Sequence, residues 1–389
     1  MAVENWVAKE VDALTAFRRD LHQNPELLYE VTRTAQTVAE ALRKAGVDEV
    51  HEGIGRTGVV GVIRGQTNTS GRTIGLRADM DALPIEEETD KPWASTVPGK
   101  MHACGHDGHT TMLLGAARHL AESRAFDGTV IVIFQPAEEG GAGARAMIED
   151  GLFTRWPCNE VYGMHNRPNL PLGHFTIAPG PIMGSVDEVK ITITGRGGHA
   201  ARPEQTIDPL PVAGALLQAV QTITSRNKDP IDSAVVSLCT IHAGNAFNVI
   251  PQAVELTGTV RTLREEVRDM VEARLGAMVE HIALAYGGAG TLEYTRHYPV
   301  TVNHDRETEL AAKAAQAVAG VDNVHLDMPQ TLGGEDFSFM LNEVPGAMIN
   351  VGNGPSAGLH HPMYDFNDDV IAWGCSYWTT LVRQRLPLD

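Results

Sequence analysis

The chain has 389 residues, of which 43% are hydrophobic and 21% charged, a composition that argues against disorder and predicts roughly two to three globular domains. Its 49 acidic and 31 basic residues give a formal net charge of −18, which disfavours a nucleic-acid binder that tracks phosphates. No run approaches the roughly 18 apolar residues of a membrane span, and the N-terminal segment lacks the apolar core of a signal peptide. The four scattered cysteines form no Cys-x-x-Cys pair, which indicates a reducing compartment, so we expect a cytoplasmic protein. The acidic charge and the lack of an apolar span lead us to expect neither nucleic-acid nor membrane partners.

The N-terminal part of the chain alternates helices with short strands. Apolar residues at three- and four-residue steps from Val7 to Leu21 predict a first helix. The continuous apolar run TVIVIF at 129–134 is typical of a strand that is buried on both faces. The remaining patterns predict helices at 32–45, 107–121 and 142–150, and strands at 58–63, 73–78 and 160–164. This alternation predicts an α/β domain with a mostly parallel central sheet flanked by helices.

A change in pattern indicates an inserted domain. The segment APGPIMGS at 178–185 is rich in Pro and Gly, as linkers are, and a half-exposed strand follows it. Helices at 207–225 and 264–286 and strands at 234–241 and 253–261 come next, and the α/β pattern resumes after Pro299. We therefore predict one domain of residues 1–183 and 297–389 that is interrupted by an α+β domain of residues 184–296.

Residue types that bind metals gather in five clusters. They are RADMD at 77–81, HACGHDGH at 102–109, QPAEEGG at 135–141, MHN at 164–166 and HHP at 360–362. Three of these clusters directly follow a predicted strand, and the last follows a predicted strand at 347–351 after a short loop. Because ligands bind open α/β sheets at the carboxyl ends of the strands, we expect the clusters to meet at one edge.

The chemistry of these clusters suits a metal site. Cys104 and His106 are two residues apart, so an extended segment would point both to one side, and Zn²⁺ accepts thiolate, imidazole and carboxylate together. Adjacent carboxylates such as Glu138 and Glu139 repel each other, unless one binds a cation while the other faces a reacting water.

Each candidate also has an ordinary structural interpretation. Cys104 could be an inert buried cysteine, and the Glu138–Glu139 pair could be an exposed acidic turn. Asp79 and Asp81 are suited to turns or helix caps. His165 could be a core histidine, and His360 and His361 could lie on a surface loop.

The segment GIGRTG at 53–58 matches a dinucleotide-binding pattern. The residues after it predict a strand, whereas pyrophosphate binding requires a helix N-terminus at that point. We interpret the segment as a glycine turn, and a nicotinamide oxidoreductase is the alternative that this interpretation disfavours.

A series of long motifs resembles those of the M20 metallopeptidase family, and the motifs follow one another in the order typical of that family. Within the family, the resemblance is to the amidohydrolase branch, which contains hippurate hydrolases and indole-acetyl-amino-acid hydrolases. These motifs are FRRDLHQNPEL, RADMDALPI, MHACGHDGH, FQPAEEGGAGA, GMHN, GRGGHAARP, GTVRT, GGEDFS and LHHPMYDFND. The resemblance implies a metal-binding catalytic domain with an inserted lid and dimerisation domain, and a homodimer or homotetramer formed through that lid. It also implies hydrolysis of the amide bond of N-acyl amino acids, with an aminoacylase, dipeptidase or carboxypeptidase activity as the alternative.

The resemblance further implies two divalent ions per subunit, either Zn²⁺ or one of Mn²⁺, Co²⁺ and Ni²⁺. By position in the motifs, their ligands are Cys104, His106, Glu139, His165 and His360. Glu138 matches the catalytic carboxylate, Asp81 a residue that orients a ligand, and His199 a histidine that holds the developing oxyanion, across the dimer. The position of Asp79 is a histidine ligand in the peptidase branches, so its role stays open, as does that of His361.

The substrate's amino-acid carboxylate needs a polar or positive partner. Asn248 and Arg261, both in the predicted inserted domain, are the candidates. Each has an ordinary alternative, as a turn asparagine and as a surface arginine at a strand edge. The sequence does not indicate the acyl group.

Overall fold

The computed structural model describes residues 4–388. These residues form two compact units, one of residues 4–180, 302–329 and 336–388, and the other of residues 181–301 and 330–335. The predicted mixed α/β architecture is confirmed. The assignment of residues 184–296 to a lid and dimerisation domain stays a prediction.

Strands and helices alternate along most of the described chain. The strands are β1 (Glu49–Ile54), β2 (Gly58–Arg64), β3 (Thr73–Asp79), β4 (Thr129–Gln135), β5 (Glu160–Pro168), β6 (Phe175–Thr176), β7 (Gly180–Met183), β8 (Val186–Thr194), β9 (Gly198–His199), β10 (Ala234–Ala243), β11 (Val249–Ile250), β12 (Ala253–Thr262), β13 (Ala289–Tyr298), β14 (Thr301–Asn303), β15 (Val324–His325) and β16 (Gly346–Gly354). The helices are α1 (Val7–Gln23), α2 (Thr32–Lys44), α3 (His106–Ser123), α4 (Gly143–Glu149), α5 (Leu152–Arg155), α6 (Pro209–Ala219), α7 (Glu265–Ala285), α8 (Asp305–Ala319), α9 (Phe337–Glu343) and α10 (Val370–Arg385). None of these helices is both long and apolar enough to cross a membrane.

The first unit is built on an eight-stranded sheet in the order β1-β2-β4-β3-β5-β16-β6-β15. The central strands β4, β3, β5 and β16 run parallel to one another, while β1, β2 and β6 are antiparallel to their inner neighbours. Val130, Ile131, Val132, Ile133 and Phe134 on β4 are all buried, as the apolar run predicts for a strand covered on both faces. Because the central strands are parallel, their carboxyl ends meet at one edge of the sheet.

The segment GIGRTG forms the turn of a hairpin between β1 and β2, in which Ile54 pairs with Gly58. A strand therefore follows the glycines, as the sequence predicts, in place of the helix that a dinucleotide site requires.

The second unit has a four-stranded antiparallel sheet in the order β10-β12-β8-β13. Val189, Ile191 and Ile193 on β8 are buried while the residues between them are more exposed, as predicted. The helix predicted at 207–225 is shorter: α6 begins at Pro209, where the carboxylate of Asp208 caps it, and ends at Ala219, before a separate turn. Strand β13 was not predicted, because half of its residues are exposed and most of its inward-facing residues are only partly buried.

Candidate metal centre

Three parallel neighbouring strands bring the predicted site residues to one edge. Asp79 is the last residue of β3, and Glu138 and Glu139 lie in the loop that follows β4. His165 was expected just after a strand, but β5 continues to Pro168, so His165 lies within it. The strand conformation therefore fixes the direction of the His165 side chain.

A turn brings Cys104 and His106 together. The prediction that an extended segment carries them is therefore wrong. Helix α3 begins at His106, and Gly105 before it has a left-handed backbone with φ of 86°. A side chain at position 105 would be strained, and its Cβ would collide with the carboxamide of Asn166 and the hydroxyl of Tyr364. Glycine at this position therefore permits the turn that brings the side chains of Cys104 and His106 to the same site.

The five predicted metal ligands lie together. Potential ligand atoms of Cys104, His106 and His165 lie within 4.8 Å of one another, as do those of Cys104, Glu139 and His360. Cys104 Sγ is 3.4 Å from His165 Nε2, and His360 Nε2 is 3.2 Å from Glu139 Oε1. Cys104 belongs to both groups, so side chains that are distant in sequence converge around one thiol.

The surroundings of His106 show independently whether the site suits a metal ion. The His106 side chain is buried, and neither ring nitrogen has a hydrogen-bond partner among the residues that the structure describes. Carboxylate oxygens of Asp79 and Asp81 lie 3.8 and 3.5 Å from these nitrogens. Buried polar atoms are normally paired, so a cation is a fitting partner for this imidazole. The thiolate, imidazole and carboxylate donors suit Zn²⁺ and related divalent ions.

The electrostatics of the site favour bound cations. Burial, together with the nearby Glu139 carboxylate, raises the pKa of the Cys104 thiol, so its thiolate needs positive charge beside it. Burial and the neighbouring His109 lower the pKa of His165 well below its ordinary value. His165 Nδ1 donates to the carbonyl of Asn166 at 2.6 Å, which leaves the Nε2 lone pair facing Cys104. A neutral imidazole in this tautomer is the form that binds metals.

Asp81 connects the Glu138–Glu139 loop to the ligand cluster. Its buried carboxylate accepts hydrogen bonds from the backbone N–H groups of Glu138, at 3.0 Å, and Glu139, at 3.1 Å. Potential ligand atoms of Glu138, Glu139 and His106 also lie within 4.8 Å of one another. Asp81 therefore fixes the backbone from which both glutamates extend toward His106.

Asp79 belongs to a buried polar network. One carboxylate oxygen accepts from His109 Nδ1 at 2.7 Å, and the other accepts from Arg77 at 2.8 Å. His109 Nε2 in turn accepts from the backbone N–H of Asn166 at 2.9 Å. No role was predicted for Arg77, His109 and Asn166, although all three stand within the motifs. The signal that the sequence did contain was the spacing of His109, which follows the predicted ligand His106 by three residues.

Three other predicted site residues lie in the second unit, whereas His361 lies in the first. His199 on β9 pairs with Val249 on β11, and the N–H of Ala200 donates to the carbonyl of Asn248 at 3.1 Å. His199 and Asn248 are thus close to each other, and both are exposed. Arg261 lies in a different sheet, on β12, where it is half-buried and its Nε donates to a threonine hydroxyl at 3.1 Å. His361 is exposed, and its Nδ1 accepts from a backbone N–H two residues later.

Comparisons with known proteins agree on one family. The sequence profile of peptidase family M20/M25/M40 matches residues 75–384. Hippurate hydrolase from Campylobacter jejuni is 42% identical over 369 residues, which cover 95% of each chain. Thermostable carboxypeptidase 2 from Saccharolobus solfataricus is 41% identical and covers 96% of this chain and 95% of its own. A crystal structure from Bacillus subtilis, described as a dinuclear metal-binding peptidase of family M20, has a TM-score of 0.86 at 34% identity and covers 97% of this chain and 99% of its own.

Proposed function

The chain belongs to peptidase family M20/M25/M40 and is a divalent-metal-dependent hydrolase of amide bonds, and we propose that it cleaves N-acyl amino acids of the hippurate type to a carboxylic acid and a free amino acid. The observation that carries the proposal is the convergence of five ligand side chains beside Glu138. The similarity to hippurate hydrolase over 95% of both chains supports the substrate class.

The metal assignment is part of the proposal. We assign two divalent ions to this site, with Cys104 shared between the two ligand groups. The proposed ligands are the five residues that the sequence motifs predict, which are Cys104, His106, Glu139, His165 and His360. The same donors accept Zn²⁺, Mn²⁺, Co²⁺ or Ni²⁺, so metal supply decides which ion is bound.

Glu138 is the proposed proton carrier. Bound divalent ions supply Lewis-acid polarisation of a carbonyl and lower the pKa of water. The Glu138 carboxylate then takes the proton of the attacking water and delivers it to the leaving amine. Asp81 holds the Glu138 backbone N–H, so the carboxylate keeps its position while the proton moves. In this assignment Asp79 is not one of the ligands, and its two oxygens accept hydrogen bonds from Arg77 and His109.

Residues of the second unit complete the proposal. We assign His199 to stabilising the oxyanion, across a homodimer or homotetramer formed through the inserted domain. Asn248 and Arg261 would bind the amino-acid carboxylate. The exposure of His199 and Asn248 in adjacent segments supports a role toward a ligand or a second subunit. A cytoplasmic location remains part of this proposal.

A second activity is a carboxypeptidase or dipeptidase reaction on the same scaffold. The 41% identity to thermostable carboxypeptidase 2 favours it as the alternative. Both activities break an amide next to an amino-acid carboxylate, so one site could serve either.

The test is a substrate panel with a metal readout. N-benzoylglycine, N-acetyl amino acids and unblocked dipeptides are compared at equal concentration, with metal content measured before and after chelation. We expect the N-acyl amino acids to be cleaved. The activity should be lost on chelation and should return when metal is added. Preference for dipeptides would favour the alternative, and activity that survives complete removal of metal would contradict the proposal.

A further inference from the structure

Four side chains on four adjacent strands form a polar row that begins at a proposed metal ligand. His165 on β5 pairs with Asn350 on β16, which pairs with Thr176 on β6, which pairs with His325 on β15. Directly paired residues of neighbouring strands point to the same face of a sheet. At about 4.8 Å per strand, the row extends about 14 Å away from His165 along that face.

A pocket of about 540 Å³ opens beside the far end of this row. Thr176 and His325 line it, together with Arg167 and Asp327. Arg167 follows His165 by two residues on the same strand, so its side chain lies on the same face. The volume falls within the range of small-molecule sites, and every lining residue belongs to the first unit.

Arg167 gives the pocket its charge. Within residues 4–388 its guanidinium forms no ion pair and no side-chain hydrogen bond, although it is half-buried. Other half-buried or buried arginines of this unit are paired, as Arg18 is with Asp107 and Asp368. Among the described lining residues, Asp327 is the one acid. In a chain with a net charge of −18, an unpaired guanidinium on a pocket wall is suited to an anionic ligand.

The His325 ring favours a bound organic group over a further metal ion. His325 Nε2 lies 3.1 Å from His174 Nδ1, with ring centroids 5.4 Å apart and ring planes at 20°. The centroid separation is that of two nearly coplanar rings meeting head-on in a hydrogen bond. Two ligands of one ion would instead turn both lone pairs toward a common point. The pocket therefore offers hydrogen-bond donors, with Arg167 foremost.

We propose that this pocket is a subsite for a carboxylate of the amide substrate and that Arg167 binds this carboxylate. The inference rests on the proposed function, because it places the substrate's carbonyl group at the metal centre next to His165. Arg167 lies on the same face of β5, about 7 Å from His165, so it forms the wall of the pocket that the carboxylate of a short amide would reach. The carboxylate belongs either to a dicarboxylic acyl group or to the amino-acid part, in which case Arg167 takes the place proposed above for Asn248 and Arg261. A guanidinium forms the same planar, bidentate pair with either carboxylate.

The experiment compares Arg167→Gln with the wild type on three amides. N-benzoylglycine carries its carboxylate on the amine side, N-succinylglycinamide carries it on the acyl side, and N-benzoylglycinamide carries none. We expect kcat/KM to fall about 10- to 100-fold for one of the two anionic amides, through KM, and to stay unchanged for the neutral amide. The amide that is affected identifies the end of the substrate that the pocket holds. Amides that are not turned over are compared as competitive inhibitors.

Two further variants control the result. Arg306→Gln removes an exposed arginine on α8 and should leave all three amides unaffected. Asp327→Asn removes the acid of the pocket and should lower KM several-fold for the amide that Arg167 binds. An equal effect of Arg167→Gln on all three amides, no effect at all, or an increase of KM in Asp327→Asn would overturn the inference. Failure of the proposed function looks different, because the wild type would then cleave none of the amides.

Discussion

The side-chain amide of Asn166 donates a hydrogen bond to the carbonyl oxygen of Cys104 across 2.6 Å. This bond joins the strand that carries His165 to the left-handed turn between two other proposed ligands. Tyr364 donates its hydroxyl hydrogen to Asn166 Oδ1 at 2.8 Å, and Asn166 Nδ2 lies 3.0 Å from His109 Nε2. The whole carboxamide is engaged, so the arrangement of the ligands depends on it.

Asn166→Asp should weaken metal binding by about 10- to 100-fold. The substitution keeps the size of the side chain but turns an acceptor oxygen toward the Cys104 carbonyl and His109 Nε2, which repel it. Metal affinity is measured by competition with a chelator. Asn303→Asp is the control, because Asn303 is equally buried and donates to the carbonyls of Ala178 and Met348. It should lose stability but keep its metal affinity, and an equal loss in both variants would remove Asn166 from this role.

The sequence predicts which ligands meet, but not what holds them. Cys104, Glu139 and His165 could be grouped because their motifs lie at or beside the ends of strands, and parallel strands end at one edge. The hydrogen bonds of Asn166 join residues 62 and 198 positions apart, and no local periodicity records such a pairing. The left-handed turn at Gly105 was missed for the same reason, since its neighbours come from distant segments.

The strands were predicted where apolar residues cover one or both faces and missed where they do not. β4 is buried throughout and was found from its sequence alone. Half of the residues of β13 are exposed, and its backbone pairs with that of β8. Pairing of this kind depends on tertiary context more than on the strand's own residues.

Exchanging Glu138 or Glu139 for glutamine should separate proton transfer from metal binding. Glu138→Gln should retain metal and lower kcat about 10³-fold, because a side-chain amide can neither accept the proton of water nor deliver a proton to the leaving amine. Glu139→Gln should lose metal, since an amide is a much weaker ligand than a carboxylate. Metal content by mass spectrometry and kcat on N-benzoylglycine distinguish the two. Near-normal turnover of the first variant would contradict the assignment of Glu138.

Cobalt substitution should reveal the Cys104 thiolate directly. The Co²⁺ form of the wild type should show a thiolate-to-metal charge-transfer band in the near ultraviolet, and Cys104→Ser should lack it. Cys158→Ser is the control, because Cys158 is half-buried, bonds to a backbone carbonyl and should leave the band unchanged. A band that persists in Cys104→Ser would show that another group binds the metal.

The assignment of His199 predicts complementation between inactive subunits. His199→Ala should lower kcat by about 10²-fold or more with metal content intact, since it removes one stabilising donor of the oxyanion. If His199 acts across a dimer, mixing His199→Ala with Glu138→Gln should restore part of the activity, because one site then has both residues. Mixing wild type with Glu138→Gln measures subunit exchange. No recovery despite exchange would place His199 within its own subunit or outside the reaction.

A buried chain of charged side chains connects α1 and a loop residue to α3. His22 Nδ1 lies 2.8 Å from Asp107, the residue after His106, and His22 Nε2 lies 3.3 Å from Glu87. Burial opposes a charge on His22, but the two carboxylates outweigh it and raise its pKa to about 9. The same contacts hold the pKa values of Asp107 and Glu87 below their ordinary range.

These shifts predict how stability depends on pH. The pKa of His22 is higher in the folded state, so its contribution is fully present below about pH 6.5 and is lost as the pH rises through about 9. The free energy of unfolding of the wild type should therefore exceed that of His22→Gln by on the order of 3 kcal/mol near pH 6, with the difference vanishing above about pH 10. Denaturant unfolding of both proteins at fixed metal concentration measures it. His304→Gln is the matched control, since the His304 ring contacts the Gly346 backbone. A difference for His22→Gln that stays constant from pH 6 to 10 would show that His22 is not charged in the folded protein.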